Sequence, residues 1–237
     1  MNPYQKLINR KRKWTPVQTT AGTCKQGAEE AIHRALALRH MELPVGDFIT
    51  NALSSDVPSN ARELLLSNVQ DEENHDVALG YIANAYGVDE KAEKEALRLK
   101  AAWEAHPDHT ITKALVAERA IFFVLLPFFR FNGDAGMRTV SADISRDEQI
   151  HVATNSLVHT ELGYNISPSL DKLRKATINW VMQPLGSHTD KYLDKKFWLD
   201  SSDRLMYEGK APQLAETKSA RMPAFFEHSN VNLPQYA

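Results

Sequence analysis

The stretch that decides the fold is Asp147–His151, which reads D-E-Q-I-H, together with Asp71–His75, which reads D-E-E-N-H. Both follow the pattern D-E-x-x-H, and in each copy a glycine lies twelve residues after the histidine, at Gly87 and Gly163. Residues three apart share one face of an α-helix, so the glutamate and the histidine of each copy can bind one metal ion. The repeat therefore predicts two equivalent helices, each carrying part of a metal site.

Two helices with E-x-x-H patterns are typical of four-helix bundles that hold two metal ions, in which each of the other two helices adds one glutamate. On the predicted third helix, Glu118 lies on one stripe with Leu115, Ile121 and Leu125. An ionised carboxylate on an apolar stripe is costly unless it is paired or bound to a metal. Glu118 is therefore the predicted ligand, and an ion pair with Arg119 is the alternative.

The predicted first helix offers two candidate ligands, Glu42 and Glu30, and Glu30 begins a further E-x-x-H pattern. A short turn joins the first and second helices, so the ligands of one site must lie equally far from it. Glu42 and Glu72 lie thirteen and twelve residues from the two ends of that turn, depths that match at about 1.5 Å rise per residue. Glu30 would lie roughly 20 Å farther from the turn than Glu72 does. We favour Glu42, with an early helix break at Pro44 as the open question.

The predicted metal ligands are four carboxylates and two imidazoles: Glu42, Glu72, His75, Glu118, Glu148 and His151. Four carboxylates largely balance the charge of two divalent cations. An oxygen-rich ligand set suits iron or manganese better than zinc, which prefers tetrahedral sites. We expect an Fe/Fe or Mn/Fe pair, with Mn/Mn as a further combination, and dioxygen as the molecule that reacts there.

Helical periodicity on both sides of these motifs predicts an all-α fold, a ferritin-like four-helix bundle with additional helices. The predicted elements are long helices over about 25–53, 60–87, 111–131 and 135–162, a connecting helix over 89–105, and further helices starting at Ser167–Pro168 and covering about 189–207. Pro44 predicts a kink in the first helix, and Asn60 with Glu63 predicts a capping box for the second. Residues 1–23 are predicted as an irregular N-terminal arm, 24–208 as the di-metal domain and 209–237 as a flexible, partner-binding tail.

Composition limits the range of functions. The 237 residues are 43% hydrophobic and carry a net charge of -2, so a large core is expected and bulk binding of nucleic acid is not. The only cysteine, Cys24, excludes an intramolecular disulfide, which suits a reducing compartment. The longest apolar run, residues 120–129, is about half the length of a membrane span. We expect a cytoplasmic protein with no membrane or nucleic-acid partner.

The ligand regions resemble the radical-generating small subunit of class I ribonucleotide reductases. Arg146–His151 is similar to the fourth-helix motif R-D-E-x-x-H of that family, and Glu118 followed by aromatic residues resembles its third-helix motif. Trp14–Pro16 resembles its W-x-P in the N-terminal arm, and Phe225–Glu227 with Tyr236 resembles its tail. The resemblance covers most of the chain loosely, and the fourth-helix motif is its most specific part.

The resemblance implies an oxidoreductase subunit for deoxyribonucleotide synthesis, with a diphosphate or a triphosphate substrate left open. In this family the di-metal centre activates dioxygen and passes a one-electron oxidant to a large catalytic subunit, and a homodimer is expected. By position, Asp147 would link His75 to Trp14, and Tyr236 would relay the oxidant to the large subunit. Phe122 and Ile144 would line the oxygen pocket.

One departure concerns the stored radical, which that family usually keeps on a tyrosine four residues after the second-helix histidine. Leu79 occupies this position, so the oxidant would remain on the metal pair or move to a nearby tyrosine such as Tyr81. Two other functions stay open. A di-iron oxygenase or oxidase of the aldehyde-deformylating type would need an apolar substrate channel, and a ferritin-like iron store would assemble into a large cage.

Overall fold

The computed structural model describes residues 2–54 and 57–214, and every regular element in these two ranges is a helix. The α-helices are α1 (Pro3–Ile8), α2 (Glu29–Ala37), α3 (Glu42–Ala52), α4 (Arg62–Tyr86), α5 (Glu90–Ala105), α6 (Thr110–Ala117), α7 (Phe123–Asn132), α8 (Ala135–Glu161), α9 (Pro168–Met182) and α10 (Lys195–Glu208). The predicted all-α fold is confirmed. No helix among the described residues combines the length and the apolar character that crossing a membrane would require.

Four long segments form the bundle: α2 with α3, α4, α6 with α7, and α8. The α3 helix packs against α4 and α6, while α8 packs against α4, α6 and α7. The four segments thus surround a common interior, and their apolar faces form one core. The α5 helix is the predicted connection between the second and third segments. The α9 and α10 helices pack on each other and against the third segment.

The ends of the repeated helices are where the sequence predicts them. Gly87 follows α4 with φ +97°, and Gly163 follows α8 with φ +66°, a region that side-chain-bearing residues rarely adopt. At the start of α8, the Asp134 side chain accepts a hydrogen bond from the backbone N–H of Met137 at 2.8 Å. The α9 helix begins at Pro168, after Ser167 as its N-cap. The two helices with D-E-x-x-H motifs are therefore similar in length, at 25 and 27 residues, and both end before a glycine at the same distance from the motif.

The first and second segments differ from the prediction at the boundaries of their helices. A 3-10 turn, Leu38–Met41, separates α2 from α3, and Pro44 lies in the first turn of α3. A proline ring clashes with the carbonyl four residues earlier, which here is that of His40, so the helix breaks before the proline and not at it. The predicted capping box is wrong: α4 begins after a 3-10 turn, Ser59–Ala61, and no side chain caps it.

The third segment contains a π-helical turn that the sequence analysis did not predict. The turn covers Glu118–Phe122, between α6 and α7, and the backbone N–H of Phe123 bonds to the carbonyl of Glu118 five residues back. Pro127 lies inside α7, where it removes the N–H that would otherwise bond to the carbonyl of Phe123. The helix therefore continues past its irregular turn, but with its residues shifted relative to an unbroken α-helix.

The N-terminal arm is more regular than predicted. Asn2 accepts a hydrogen bond from the N–H of Tyr4 and starts α1, with Pro3 in the first turn, a favourable place for proline. Tyr4 is fully buried, and its hydroxyl donates to Glu161 Oε1 at 2.9 Å. The arm is thus docked on α4 and α8. At the other end, α10 begins at Lys195, later than predicted.

Two glycines should respond to alanine with opposite signs. Gly163→Ala forces a side chain into the positive-φ region and should lower the free energy of unfolding by about 1 kcal/mol. Gly80 lies within α4, and nothing would come within 4 Å of an added Cβ. Gly80→Ala should therefore raise the free energy of unfolding by roughly 0.5–1 kcal/mol. Urea unfolding of the metal-free protein measures both, and a shift of the same sign in the two variants would contradict these helix boundaries.

Candidate metal centre

The six predicted ligands lie together in the interior of the bundle, and none is more than 3% exposed. They form two groups that share Glu72, and in each group one ligand atom per residue lies within 4.8 Å of the others. The first group contains Glu42, Glu72, His75 and Glu148, and the second contains Glu72, Glu118 and His151. The competing Glu30 lies elsewhere: its side chain is 68% exposed and pairs with Arg34 at 2.7 Å. Two adjoining positions for metal ions therefore exist in one cluster.

Each ligand is placed by a distinct local structure. The regular helices α4 and α8 carry Glu72 with His75 and Glu148 with His151. Glu42 is the first residue of α3, directly after the 3-10 turn, and Glu118 is the first residue of the π turn. The 3-10 turn is held by Arg39, whose guanidinium donates to both carboxylate oxygens of Glu93 on α5 at 2.6 and 2.9 Å. Both lone glutamates thus lie where the helix departs from α-geometry, a frequent feature of functional sites.

The two imidazoles present the same nitrogen to the carboxylates. His75 Nδ1 lies 3.3 Å from Glu72 Oε2 and 3.4 Å from Glu148 Oε1. His151 Nδ1 lies 2.9 Å from Glu72 Oε1 and 3.7 Å from Glu148 Oε1. The ring centroids are 5.6 Å apart. Glu72 and Glu148 therefore lie between the two histidines, where a carboxylate could bridge two ions.

The electrostatics of the cluster fit a pair of cations. Burial raises the pKa of Glu42, Glu118 and Glu148 above the ordinary value for a glutamate, and neighbouring carboxylates add to the effect. Burial would lower the pKa of His151, but bonds to carboxylates outweigh it and raise that pKa to about 10. In the metal-free protein, protonated groups therefore balance the carboxylates. Two divalent ions would replace those protons, because metal binding requires deprotonated ligands.

Buried ligand atoms that lack a hydrogen-bond partner also indicate a pair of cations. Each of the six has at least one buried side-chain atom without a hydrogen-bond partner among residues 2–54 and 57–214. Buried polar atoms are normally satisfied, and groups left over in a native structure call for an explanation such as an ion. The donor set of carboxylates and imidazoles is the one that iron and manganese accept. The residues present therefore fit two metal ions.

Outside the ligands, the aspartate of each motif contacts the histidine of the other motif. Asp147 Oδ2 lies 3.4 Å from His75 Nε2, and Asp71 Oδ2 lies 2.9 Å from His151 Nε2. A carboxylate at Nε2 keeps the hydrogen on that nitrogen and leaves Nδ1 free as the metal ligand. The resemblance predicts such a contact for Asp147 alone. The repeat itself carries the signal for Asp71, because both copies begin with aspartate.

The N-terminal arm contacts both of these aspartates. Trp14 Nε1 donates to Asp147 Oδ2 at 2.6 Å, so the link from His75 through Asp147 to Trp14 has the expected geometry. Lys11 Nζ forms an ion pair with Asp71 and donates to Asn68 Oδ1 at 2.9 Å. The contact of Lys11 was not predicted. Two residues of the arm therefore reach the two imidazoles through one carboxylate each.

The other predicted site residues have different outcomes. Phe122 lines a cavity of about 10 Å³ beside Glu42, and Leu79 lines it too. Ile144 is buried but is not among the residues that line this cavity. Tyr81 is partly buried on α4, six residues after His75 and therefore on a different face of the helix. Tyr236 and the aromatic pair before it lie outside the described residues.

Asn155 is a further contact that the sequence analysis missed. It is fully buried, and its Nδ2 donates to Glu118 Oε2 at 2.6 Å. Asn155 lies four residues after His151, the position that Leu79 occupies in the other copy of the repeat. A polar residue on this buried face was the available signal. The predicted alternative for Glu118 was a pair with Arg119, whose Nε instead donates to the Leu205 carbonyl at 2.7 Å.

No family model, no curated protein sequence and no solved structure matches this chain. Its function is therefore inferred from the geometry of the cluster and from the contacts around it.

The choice between the two glutamates of the first segment can be tested directly. Wild-type protein should bind about two divalent ions per chain. Glu42→Gln removes one negative ligand and should lower the number of tightly bound ions, whereas the matched variant Glu30→Gln should bind as wild type does. Anaerobic titration with Mn²⁺ or Fe²⁺, with bound metal counted by elemental analysis, measures this. Equal losses in both variants, or a loss in Glu30→Gln alone, would overturn the assignment.

Proposed function

We propose that the chain is the small subunit of an aerobic ribonucleotide reductase, which supplies a one-electron oxidant to a separate catalytic subunit. The observation that carries the proposal is the hydrogen-bonded path from His75 through Asp147 to Trp14. This path joins the buried cluster to a partly exposed indole on the N-terminal arm. A store of metal ions has no need of such a path, whereas a protein that exports an oxidising equivalent does.

Bound at the six ligands, two iron or manganese ions would supply the reduction of dioxygen and retain an oxidising equivalent. The residues of the chain hold and orient the centre. Asp147 and Asp71 keep the hydrogen on Nε2 of the two histidines, so that Nδ1 is the ligand atom. The ring planes of the histidines are fixed in this way before any ion binds, which reduces the reorganisation that binding requires.

Trp14 and Asp147 are arranged for coupled movement of an electron and a proton. The indole N–H lies 2.6 Å from Asp147 Oδ2, so an electron that leaves the ring can be accompanied by its Nε1 proton moving to that oxygen. The guanidinium of Arg12 lies 5.9 Å from the centroid of the Trp14 ring. A positive charge there disfavours an indole cation, so transfer of the proton to Asp147 removes an unfavourable charge. Asp147 would thus act as the proton acceptor for Trp14.

The space beside the cluster favours this function over an oxygenase. The cavity next to Glu42 has a volume of about 10 Å³ and an apolar lining that includes Leu79, Phe122 and Leu125. Such a volume holds about one water-sized molecule, whereas sites for organic ligands usually need roughly 300–1,000 Å³. An aldehyde chain does not fit this cavity. We therefore place the oxygenase second, and we propose that dioxygen is the molecule that enters.

The location of the stored oxidant follows from the same cavity. Leu79 provides no redox-active group at the position that a radical tyrosine would occupy. Tyr81 lies on a different face of α4 from His75. We therefore propose that the oxidising equivalent remains on the metal pair, which would be Fe/Fe or Mn/Fe. The large subunit would receive it through the relay, and a homodimeric, cytoplasmic protein is part of the same proposal.

Exposure of the metal-loaded protein to dioxygen tests the reaction. Protein loaded anaerobically with iron, or with manganese and iron, should hold a persistent oxidising equivalent after exposure, counted by titration with a one-electron reductant, and electron paramagnetic resonance should detect the half-integer-spin state of the coupled pair on one side of that one-electron step. A centre that loses this equivalent rapidly with any metal combination would favour the oxygenase or the iron store. Mass in solution tests the storage function independently, because a cage would be many times larger than a dimer.

The relay predicts a specific effect at Trp14. Trp14→Phe should keep metal binding and dioxygen consumption, but it should slow reduction of the oxidised centre by an external one-electron reductant about ten-fold or more, since proton transfer from Nε1 to Asp147 is lost. Trp180→Phe is the matched control. Trp180 lies on α9, and the centroid of its ring is 5.6 Å from the guanidinium carbon of Arg34. Stopped-flow absorbance measures the rates. Equal rates in wild type and Trp14→Phe would contradict the relay.

A further inference from the structure

The π turn that carries Glu118 is held by a helix that provides no metal ligand. Ser202, on α10, donates through Oγ to the carbonyl oxygen of Ala120 at 2.6 Å. Arg119 Nε donates in the opposite direction, to the carbonyl of Leu205 on α10 at 2.7 Å. The two contacts lie within the same turn. The α10 helix therefore holds the irregular backbone beside the cluster through two hydrogen bonds, from outside the four-segment bundle.

The direction of the Ser202 hydrogen bond is fixed by its other partner. Arg174 Nη1 donates to Ser202 Oγ at 2.7 Å, and both residues are fully buried. A guanidinium can only donate, and a hydroxyl has one hydrogen. The hydrogen of Ser202 must therefore point to the carbonyl of Ala120. Arg174 is itself held by Asp171 Oδ1 and Asp203 Oδ1, each at 2.7 Å from Nη2, so the buried charge is paired and the chain of bonds has one arrangement.

A side chain that bonds to a backbone carbonyl is one of the recognised causes of a local departure from the α-helical ladder. Without the bond to Ala120, the segment could return to α-geometry. That change would shift the residues on one side of the turn by about one position relative to the other. Glu118 could not then remain beside His151 while Phe122 stayed beside Glu42. The bond from Asn155 to Glu118 Oε2 orients the carboxylate but does not hold the backbone.

We propose that Ser202, oriented by Arg174, is a positioning residue for Glu118. It maintains the π turn and thereby the metal position formed by Glu72, Glu118 and His151. This inference rests on the proposed function only in treating Glu118 as a metal ligand, and it does not depend on the reaction that the centre performs. The other position, which contains Glu42 and His75, takes no ligand from the π turn and should keep its affinity.

The test compares two neighbouring serines on α10. Ser202→Ala removes the bond to Ala120, and Ser201→Ala is the matched control, because Ser201 is also fully buried but donates within its own helix to Phe197 at 2.7 Å. Metal-free protein is titrated anaerobically with Co²⁺, whose visible spectrum reports the geometry of each site. In Ser202→Ala the first ion should bind as in wild type and the second about ten-fold or more weakly, with an altered spectrum. Ser201→Ala should bind both ions normally.

A rescue variant and a stability measurement separate positioning from general damage. Ser202→Thr keeps the hydroxyl and should restore the second site. If Ser202→Ala does not fold, Ser202→Cys replaces it, since a thiol is a weaker donor and should give a smaller loss at the same site. A structural role alone would lower the stability of the metal-free protein and leave the two affinities in their wild-type ratio.

The titration separates the role of Ser202 from the existence of the metal centre. Two ions that bind to Ser202→Ala and Ser201→Ala with equal affinities and spectra would overturn the role of Ser202 and leave the metal centre intact. A wild-type protein that binds fewer than two ions would instead overturn the proposed centre itself, together with this inference.

Discussion

The mutual repulsion of four buried glutamates is the constraint around which the bundle is organised. Carboxylates this close together in a low-dielectric interior cannot all be ionised unless positive charge lies among them. Burial and mutual repulsion accordingly raise the pKa of Glu42, Glu118 and Glu148. The metal-free protein meets the constraint with protons and imidazolium groups. Two divalent cations would meet it better, because they satisfy the ligand atoms that lack hydrogen bonds.

The remaining parts of the structure serve to keep this cluster in place. The regular helices α4 and α8 bring their ligand pairs to the same depth, and the two aspartates cross between them to orient the histidines. The lone glutamates lie at irregular turns, and each turn is held by an outer helix: α5 holds the turn before Glu42 through Arg39 and Glu93, and α10 holds the turn of Glu118 through Ser202. Contacts far from the ligands therefore determine where the ligands lie.

Much of the site could be predicted from sequence because it depends on local periodicity. The spacing of Glu72 and His75 fixes their common face, and glycines such as Gly87 end helices through backbone conformation alone. The depth comparison found Glu42 because the residues from Glu42 to Ala52 and from Arg62 to Glu72 are α-helical, with one rise per residue. The π turn could not be predicted in this way. It depends on Ser202, which lies more than eighty residues from Ala120 and reaches it only in the folded chain. The docking of α1 through Tyr4 and the capping box wrongly assigned at Asn60 show the same limit, since tertiary packing decides both.

Anomalous diffraction from crystals of protein loaded with manganese and iron would test the central claim most directly, because data at the two absorption edges locate and distinguish the ions. The account predicts about two metal peaks per chain, one bonded to His75 Nδ1 and the other to His151 Nδ1, with Glu72 and Glu148 between them. Ions bonded through Nε2, ions at Glu30 and His33, or an interior without metal peaks would contradict it.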